Sequence, residues 1–231
     1  MGNIDKILVI AAHPDDEVLG VGGTIAKYVK KGCQVDLLIV TDGSTSQYRD
    51  SPRLKKIIEE KKMETRNCAD FLGITNIYYG QLPDMRLDTV AHIEINKAIE
   101  SVIDKVQPDT VFTHFYGDVN KDHRCVYEST LVACRPTEDQ CVKNLFLYSV
   151  PSSTEWNVQT SHTMFIPNWY EAIDEECAEK KYNGMNCYTE ELRNYPHPRS
   201  IQYLKNEDTA IGNRVGRKCV ENFMLVRSLN D

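Results

Sequence analysis

The sequence predicts an α/β fold: a Rossmann-like, three-layer sandwich on a mostly parallel, doubly wound sheet, with helical and strand cover from the C-terminal third. Short apolar runs bounded by turn residues alternate with amphipathic segments of ten or more residues, which is typical of strands joined by crossover helices. The chain has 231 residues, and no Ser/Gly run or Pro-rich tract divides it. We therefore expect one domain over residues 1–231.

The first half of the chain predicts three strands, each followed by a helix. Strands are expected at residues 6–12, 34–40 and 76–79, and helices at about 16–30, 54–72 and 90–106. Each helix stops at a recognisable signal: Lys30-Lys31-Gly32, Gly73 and Pro108. A polar loop is expected up to about residue 52, and a second loop, GQLPDMRLD, follows the third strand.

The second half is regular at first and then less so. A fourth strand is expected at residues 109–113, a loop at 114–123, a helix at 124–134 and a fifth strand at 145–150. Beyond residue 150 we expect a short strand at 164–166, a charged helical stretch at about 170–182, and a tail from residue 201 with a final helix and the apolar run FMLV.

Composition excludes several classes of partner. A net charge of −7 and a sequence pI near 5.4 argue against a general nucleic-acid or anionic-membrane surface. No apolar run approaches the roughly 20 residues of a membrane span, and residues 1–10 lack the features of a secretory leader. The eight cysteines include no CxxC pair, which indicates reduced thiols in a cytoplasmic protein. Assembly into a homo-oligomer stays open.

The stretch KILVIAAHPDDEVLGVGG, residues 6–23, concentrates the chemistry. A buried strand runs directly into His13, Asp15, Asp16 and Glu17. Buried charges without partners cost several kcal/mol, and a metal cation is a common remedy. His13 and Asp16 stand three residues apart at a strand-to-helix turn, so both can hold one ion. Catalytic zinc takes three protein ligands and leaves a position for water, so a third ligand is required.

Topology points to that third ligand. In a sheet of order 3-2-1-4, ligands collect where the order reverses, between the first and fourth strands. The loop after the fourth strand carries Asp122 and His123, so we expect His123 as the third ligand and Asp122 as a partner that orients a ligand. Asp15 is then placed to take a proton from metal-activated water. The nitrogen and oxygen ligands suit Zn²⁺ best, although iron, cobalt and manganese are harder to exclude.

Other candidates have open alternatives. His114 ends the fourth strand at the right edge of the sheet but can point either way, and Asp84 either lines the same rim or belongs to a solvated turn. His92 lies within an amphipathic helix and is expected to be structural. The glycines at 20, 22 and 23 do not form G-x-G-x-x-G, so a dinucleotide site is not expected.

Two motifs, AAHPDDEVLGVGGT at residues 11–24 and GDVNKDHRCVYE at 117–128, resemble those of the PIG-L/LmbE-like de-N-acetylases. The resemblance extends to YSVPSSTEW, YPHPRS and GNRVGRKCVENFMLVR. It implies zinc-dependent removal of acetyl groups from N-acetylglucosamine-type sugars. The metal ligands of that family fall on His13, Asp16 and His123, and its general base falls on Asp15.

One position departs from the family pattern. Several members have a second histidine three residues before the last ligand, where it stabilises the oxyanion, and this chain has Asn120 there. An Asn amide donates a hydrogen bond but carries no positive charge, so His114 or His197 are alternative helpers. The resemblance also implies that Asp84, His197 and Arg199 lie near the substrate.

We therefore expect a cytoplasmic zinc-dependent N-deacetylase that acts on an N-acetylated amino sugar and releases acetate and a free amine. Two rival functions stay open. One is a hydrolase of another amide or ester that uses the same metal site. The other is a non-catalytic nucleotide-binding module.

Overall fold

The computed structural model describes residues 4–48 and 50–230. Residues 1–3 lie outside the described residues. The expected domain begins there, and so does the stretch 1–10 that lacks the features of a secretory leader. The strands are β1 (Lys6–Ala11), β2 (Gln34–Thr41), β3 (Asn76–Leu82), β4 (Thr110–His114), β5 (Asn144–Tyr148), β6 (Trp169–Ala172) and β7 (Val220–Ser228). The helices are α1 (Asp16–Lys30), α2 (Thr45–Tyr48), α3 (Leu54–Leu72), α4 (His92–Val106), α5 (Lys121–Ala133), α6 (Glu175–Met185) and α7 (Ile201–Arg214).

All these strands belong to one sheet of order β3-β2-β1-β4-β5-β7-β6. The first five strands are parallel, while β7 pairs antiparallel with both β5 and β6. The expected 3-2-1-4 order is confirmed, and β1 and β4 lie side by side. Their carboxyl ends therefore meet at the point where the chain reverses its direction across the sheet.

Alternation along β1 explains the three layers. Both faces of a central parallel strand are buried, so its apolar residues divide between two cores. Ile7, Val9 and Ala11 pack in the core that also contains residues of α1, α3 and α6. The intervening Leu8, Ile10 and Ala12 pack with residues of α4 and α5 on the opposite face. In the described residues no helix is long and apolar enough to cross a membrane.

The C-terminal third corrects two predictions. Residues 164–166 form no strand, and Met164 and Ile166 are exposed. The strand is β6, within the stretch expected to be helical, because Trp169 to Ala172 pair with β7. The helix begins only after Asp174, whose carboxylate accepts a hydrogen bond from the backbone N–H of Cys177 and so caps α6. The FMLV run lies inside β7 and extends the sheet.

Two boundaries matter for the site. His114 is the last residue of β4 and is fully buried, not the first residue of a loop. His123 lies in the first turn of α5, which begins three residues earlier than expected because the Asn120 side chain caps it. The helix thereby fixes the direction of His123.

Candidate metal centre

Two strand-to-helix turns converge at the carboxyl edge of the sheet. β1 ends at Ala11 and α1 begins at Asp16, so His13, Pro14 and Asp15 form a tight turn. Asp15 adopts a left-handed backbone conformation, φ 98°, which is uncommon for a residue with a side chain. The turn is held by Asp16, whose Oδ2 accepts a hydrogen bond of 2.8 Å from the backbone N–H of His13.

Three side-chain atoms from these turns form a nearly equilateral triangle. His13 Nδ1 lies 3.3 Å from His123 Nε2, and Asp16 Oδ2 lies 3.4 Å from each of them. Ligands at about 2.0–2.1 Å from a tetrahedral zinc ion are separated by about 3.3–3.4 Å. The triangle therefore has the size of one face of a zinc coordination shell, and one open position would remain.

Carboxylates stand behind both imidazoles of the triangle. The outer nitrogen of His13, Nε2, lies 3.1 Å from Asp122 Oδ2 and 3.3 Å from Asp84 Oδ1. On the other side, His123 Nδ1 lies 3.1 Å from Asp118 Oδ2. Carboxylates in this position fix the orientation and tautomer of a ligating histidine and make it a stronger donor.

The electrostatics of the triangle favour positive charge. Burial alone lowers the pKa of His13, but hydrogen bonds with Asp122 and Asp16 outweigh it and raise that pKa well above its ordinary value. Burial likewise opposes protonation of His123, yet the charge of Asp16 and the contact with Asp118 raise its pKa to about 9. The carboxylates that raise both pKa values would stabilise a metal cation for the same electrostatic reason, so the donor set fits a divalent ion.

A cavity of about 400 Å³ opens beside the triangle. Its lining combines the candidate ligands with polar, charged and apolar side chains: His13, Pro14, Asp15, Gly43, Ser46, Lys61, Asp84, Met85, Val119, Asn120, His123, Ser152, Ser153, Trp156, Glu191 and Arg199. The exposed apolar members are Met85, Val119 and Trp156. The volume lies in the usual range for a small-molecule site.

Asp15 is buried at the cavity wall and forms a salt bridge with Arg199, another residue of the lining. Its Oδ2 lies 3.4 Å from Arg199 Nη1. Burial raises the pKa of Asp15 to about 7, although the positive charge of Arg199 opposes the rise. The same guanidinium donates to Glu191 over 2.6 Å and to Ser152 Oγ over 2.8 Å. A second cation, Lys61, donates to Glu191 over 2.8 Å.

His114 lies beneath the site, outside the cavity lining. Its Nε2 accepts a hydrogen bond of 2.8 Å from the backbone N–H of Ala12 and lies 3.2 Å from Tyr148 Oη. Burial, together with the charge of His123, holds the pKa of His114 well below its ordinary value. A neutral imidazole with an engaged Nε2 cannot reach a substrate, so the expectation that His114 acts as an oxyanion helper is corrected.

His197 also stands back from the cavity. Its Nδ1 accepts a hydrogen bond from the backbone N–H of Arg199. Its ring packs edge to face against the Trp156 ring, with 5.8 Å between the ring centroids. Asn120 does line the cavity: its Oδ1 accepts from the backbone N–H of Asp122, which leaves Nδ2 on the cavity side, 3.4 Å from Met85 Sδ.

Sequence reasoning missed the carboxylate of Asp118 and the group formed by Lys61, Glu191 and Trp156. Asp118 had a local signal, because it precedes Asn120 and accepts a hydrogen bond of 2.7 Å from its backbone N–H. The other three residues come from a helix and two distant loops, and no spacing along the chain connects them.

Comparison with known proteins gives one family and several similar chains. The sequence model of the family described as "PIG-L: GlcNAc-PI de-N-acetylase" matches residues 8–134. This range includes His13, Asp16 and His123, the three residues of the triangle. The chain is 29% identical over 178 residues to "Uncharacterized deacetylase YaiS" of Escherichia coli, and the match covers 74% of this chain and 83% of that protein. It is 32% identical over 109 residues to a diacetylchitobiose deacetylase of Thermococcus kodakarensis, a match that covers 47% of this chain and 40% of that protein.

The fold is also similar to that of solved structures. The N,N'-diacetylchitobiose deacetylase from Pyrococcus horikoshii, complexed with its inhibitor MPG, superposes with a TM-score of 0.78 at 21% identity. The superposition covers 97% of this chain and 85% of that one. A likeness at this identity concerns the fold alone, and a fold by itself does not determine a reaction.

Proposed function

We propose, from the premise that the chain belongs to the PIG-L family, that it removes the acetyl group from an N-acetylated amino sugar and releases acetate and a free amine. Relatives named as deacetylases of acetylated sugars support this reaction class. The observation that carries the proposal is the triangle of His13 Nδ1, Asp16 Oδ2 and His123 Nε2, with sides of 3.3–3.4 Å, at the wall of the cavity.

We assign His13, Asp16 and His123 as the ligands of one divalent ion and propose Zn²⁺, because two imidazoles and one carboxylate are typical of catalytic zinc. When bound, such an ion supplies a Lewis acid that polarises the amide carbonyl and lowers the pKa of the attacking water. Asp122 and Asp84 orient the His13 ring, and Asp118 orients the His123 ring.

Asp15 is the proposed general base and acid. Its carboxylate lines the cavity next to His13. Its Oδ2 lies 3.4 Å from Arg199 Nη1 but accepts no hydrogen bond from the described residues, so a lone pair remains to accept a proton. Asp15 takes the proton of the attacking water and then donates it to the departing nitrogen. Asp16 contacts both histidines and is assigned to the metal. The adjacent aspartates therefore have different roles: Asp16 is a ligand and Asp15 transfers the proton.

Asn120 is the proposed donor to the oxyanion. Its Oδ1 accepts a hydrogen bond from the Asp122 backbone, and one N–H of Nδ2 donates weakly to Met85 Sδ, which leaves the other N–H available at the cavity wall. A neutral donor contributes less than a protonated histidine, and hydrogen bonds to charged groups are worth about 1.5–3 kcal/mol. Arg199 and Asp84, which also line the cavity, are proposed to contact the sugar.

We also propose a cytoplasmic location and a single domain. The eight cysteines all lie within the described residues and are all unpaired, which supports a reducing compartment such as the cytoplasm. One sheet contains strands from Lys6 to Ser228, which supports a single catalytic domain.

Amine release from N-acetylglucosamine derivatives, with and without a chelator, tests the function. We expect chelation to abolish release and added Zn²⁺ to restore it. Asp15→Asn should lower kcat by about 10²–10⁴-fold with the bound-metal content unchanged. The matched control is Asp104→Asn on an exposed position of α4, which should behave as wild type.

Two results would contradict this assignment. One is hydrolysis of p-nitrophenyl acetate without amine release from any acetylated sugar, which would favour another ester or amide hydrolase. The other is the absence of bound metal together with unchanged activity in Asp15→Asn, which would remove the hydrolytic site altogether.

A further inference from the structure

A second cavity, of about 250 Å³, lies behind the wall of the metal centre. Residues 149–155 separate the two spaces: Ser152 and Ser153 face the first cavity, while Val150, Pro151 and Thr154 face the second. One face of α7 forms another part of the wall and presents Glu207, Ala210, Ile211 and Arg214, whose positions 207, 210/211 and 214 recur at the helical period. Phe165, Pro167 and Asn222 also line the cavity.

Three polar side chains converge at the inner end of this second cavity. Ser149, Glu207 and Asn222 line both the cavity and a small chamber of about 20 Å³ that adjoins it. All three are half-buried, and their side chains make no hydrogen bond or ion pair with any other described residue. Polar side chains that line a cavity and have no protein partner are available to hydrogen-bond a ligand.

Glu207 is the one charged side chain of the three. The nearest buried cation, Lys181, is fully engaged elsewhere: its Nζ donates to Asp208 at 2.9 and 3.1 Å and lies 2.9 Å from Glu221 Oε1. The Glu207 carboxylate therefore forms no ion pair with a described cation, although the charges of Lys181 and Arg214 act on it from a longer distance. Burial raises its pKa to about 7, even though the positive charge of Lys181 opposes the rise.

The chemistry of the lining selects one class of ligand. Glu207 favours a cation, and Glu155 adds negative charge although its carboxylate accepts hydrogen bonds from the backbone N–H groups of Ser152 and Ser153. Arg214 is the single positive side chain of the lining. The groups of the described residues that are able to hold a metal all lie around His13, so a metal ion is a poor match for the second cavity. The hydroxyl of Ser149 and the amide of Asn222 can exchange hydrogen bonds with hydroxyl groups.

We propose that this second cavity is a binding site for a small hydroxylated primary amine in its protonated form. The ammonium group pairs with Glu207, the hydroxyl groups of the ligand bond to Ser149 and Asn222, and its carbon skeleton lies against Val150 and Ile211. The volume is below the usual range for drug-sized ligands and suits a molecule of monosaccharide size. The site does not depend on the reaction at the metal centre.

Glucosamine is the probe, and the backbone amide signals of the ¹⁵N-labelled full chain are the readout. Ala210, Ile211 and Asn222 report on the second cavity, whereas His13 and Asp15 report on the first. Residues 149–155 are excluded as reporters because they border both cavities. N-acetylglucosamine, which lacks the ammonium group, is the neutral comparison.

We expect glucosamine, but not N-acetylglucosamine, to shift the signals of Ala210, Ile211 and Asn222 in a saturable manner. Glu207→Gln keeps the shape of the side chain and removes its charge, so it should raise the Kd measured at these amides by about tenfold or more. Glu138→Gln, on an exposed position after α5, is the matched control and should change that Kd less than twofold.

Ala210→Phe provides a second test, since it fills the mouth of the cavity and leaves Glu207 in place. It should abolish the shifts at Ile211 and Asn222, with Tm checked for each variant. Shifts confined to His13 and Asp15, no saturable binding, or an unchanged Kd in Glu207→Gln would each overturn the proposal.

Discussion

Replacing Asp118 by Asn should weaken metal binding although the residue is not a ligand. Asp118 is buried, and its Oδ1 accepts a hydrogen bond of 2.7 Å from the backbone N–H of Asn120 and another from the Ser153 hydroxyl. Its Oδ2 accepts from the Thr154 hydroxyl over 2.7 Å and lies 3.1 Å from His123 Nδ1. Burial alone raises the pKa of Asp118, but the contact with His123 and the two hydroxyl groups lower it to about 2.

The consequence follows from the direction of each donor. An Asn side chain must place its oxygen toward the Asn120 N–H, because an NH₂ group there would face another donor. Its NH₂ group then faces His123 Nδ1. Because the NH₂ group is a donor, Nδ1 must act as the acceptor and cannot carry the proton. The imidazole proton is driven to Nε2, the nitrogen that belongs to the triangle, and a protonated Nε2 cannot bind a metal.

The magnitude comes from comparable outer-shell carboxylates, whose loss costs about 10–100-fold in metal affinity or activity, or about 1.4–2.8 kcal/mol. Competition with a fluorescent zinc chelator measures the affinity, and amine release at saturating Zn²⁺ measures how much activity returns. Asp104→Asn is again the control. A change below threefold in both affinity and activity, with an unchanged Tm, would refute the role given to Asp118.

Three further results are expected. Lys181→Met leaves Asp208 and Glu221 buried without their cation, so it should lower the free energy of unfolding by about 3–5 kcal/mol and Tm by about 6–20 °C, as urea and thermal denaturation would measure. Trp156→Ala should raise KM by about 3–10-fold with little change in kcat, because the exposed ring lines the cavity mouth; an equal loss in kcat would contradict this placement. Dialysis against a chelator should lower Tm. Recovery of Tm on addition of Zn²⁺ but not Mg²⁺ would show that the site prefers a metal that binds nitrogen ligands.

The sequence was sufficient for the parallel half of the fold and for the triangle, since both depend on local patterns and on one rule of topology. The apolar run before His13 predicts a buried strand, and the strand order brings the end of β4 to the same edge. No comparable rule predicts β6. Its four residues, Trp169 to Ala172, have too short a pattern to separate strand from helix, and only pairing with β7 determines their conformation.

The family resemblance implied that Arg199 lies near the substrate, but the ion pairs around it could not be predicted, for a related reason. Arg199 pairs with Asp15 and Glu191, and Glu191 also pairs with Lys61, so this network of ion pairs joins three separate segments of the chain. Their meeting depends on the packing of loops, which carry no periodic signal. His114 illustrates the opposite limit: its position at the strand end was foreseeable, but the direction of its side chain was decided by Ala12 and Tyr148.

The acidic residues of the two turns explain why a cation can bind at this edge at all. Helix N-termini carry a partial positive charge and favour anions, and both α1 and α5 begin here. Asp16 in the first turn of α1 and Asp122 in the first turn of α5 place negative charge at these helix ends and so favour a cation there. Glu17 also accepts a hydrogen bond from the backbone N–H of Asp15 over 3.2 Å, which helps to hold the left-handed turn. That turn separates the adjacent aspartates: Asp16 contacts both imidazoles of the triangle, and Asp15 pairs with Arg199 at the cavity wall.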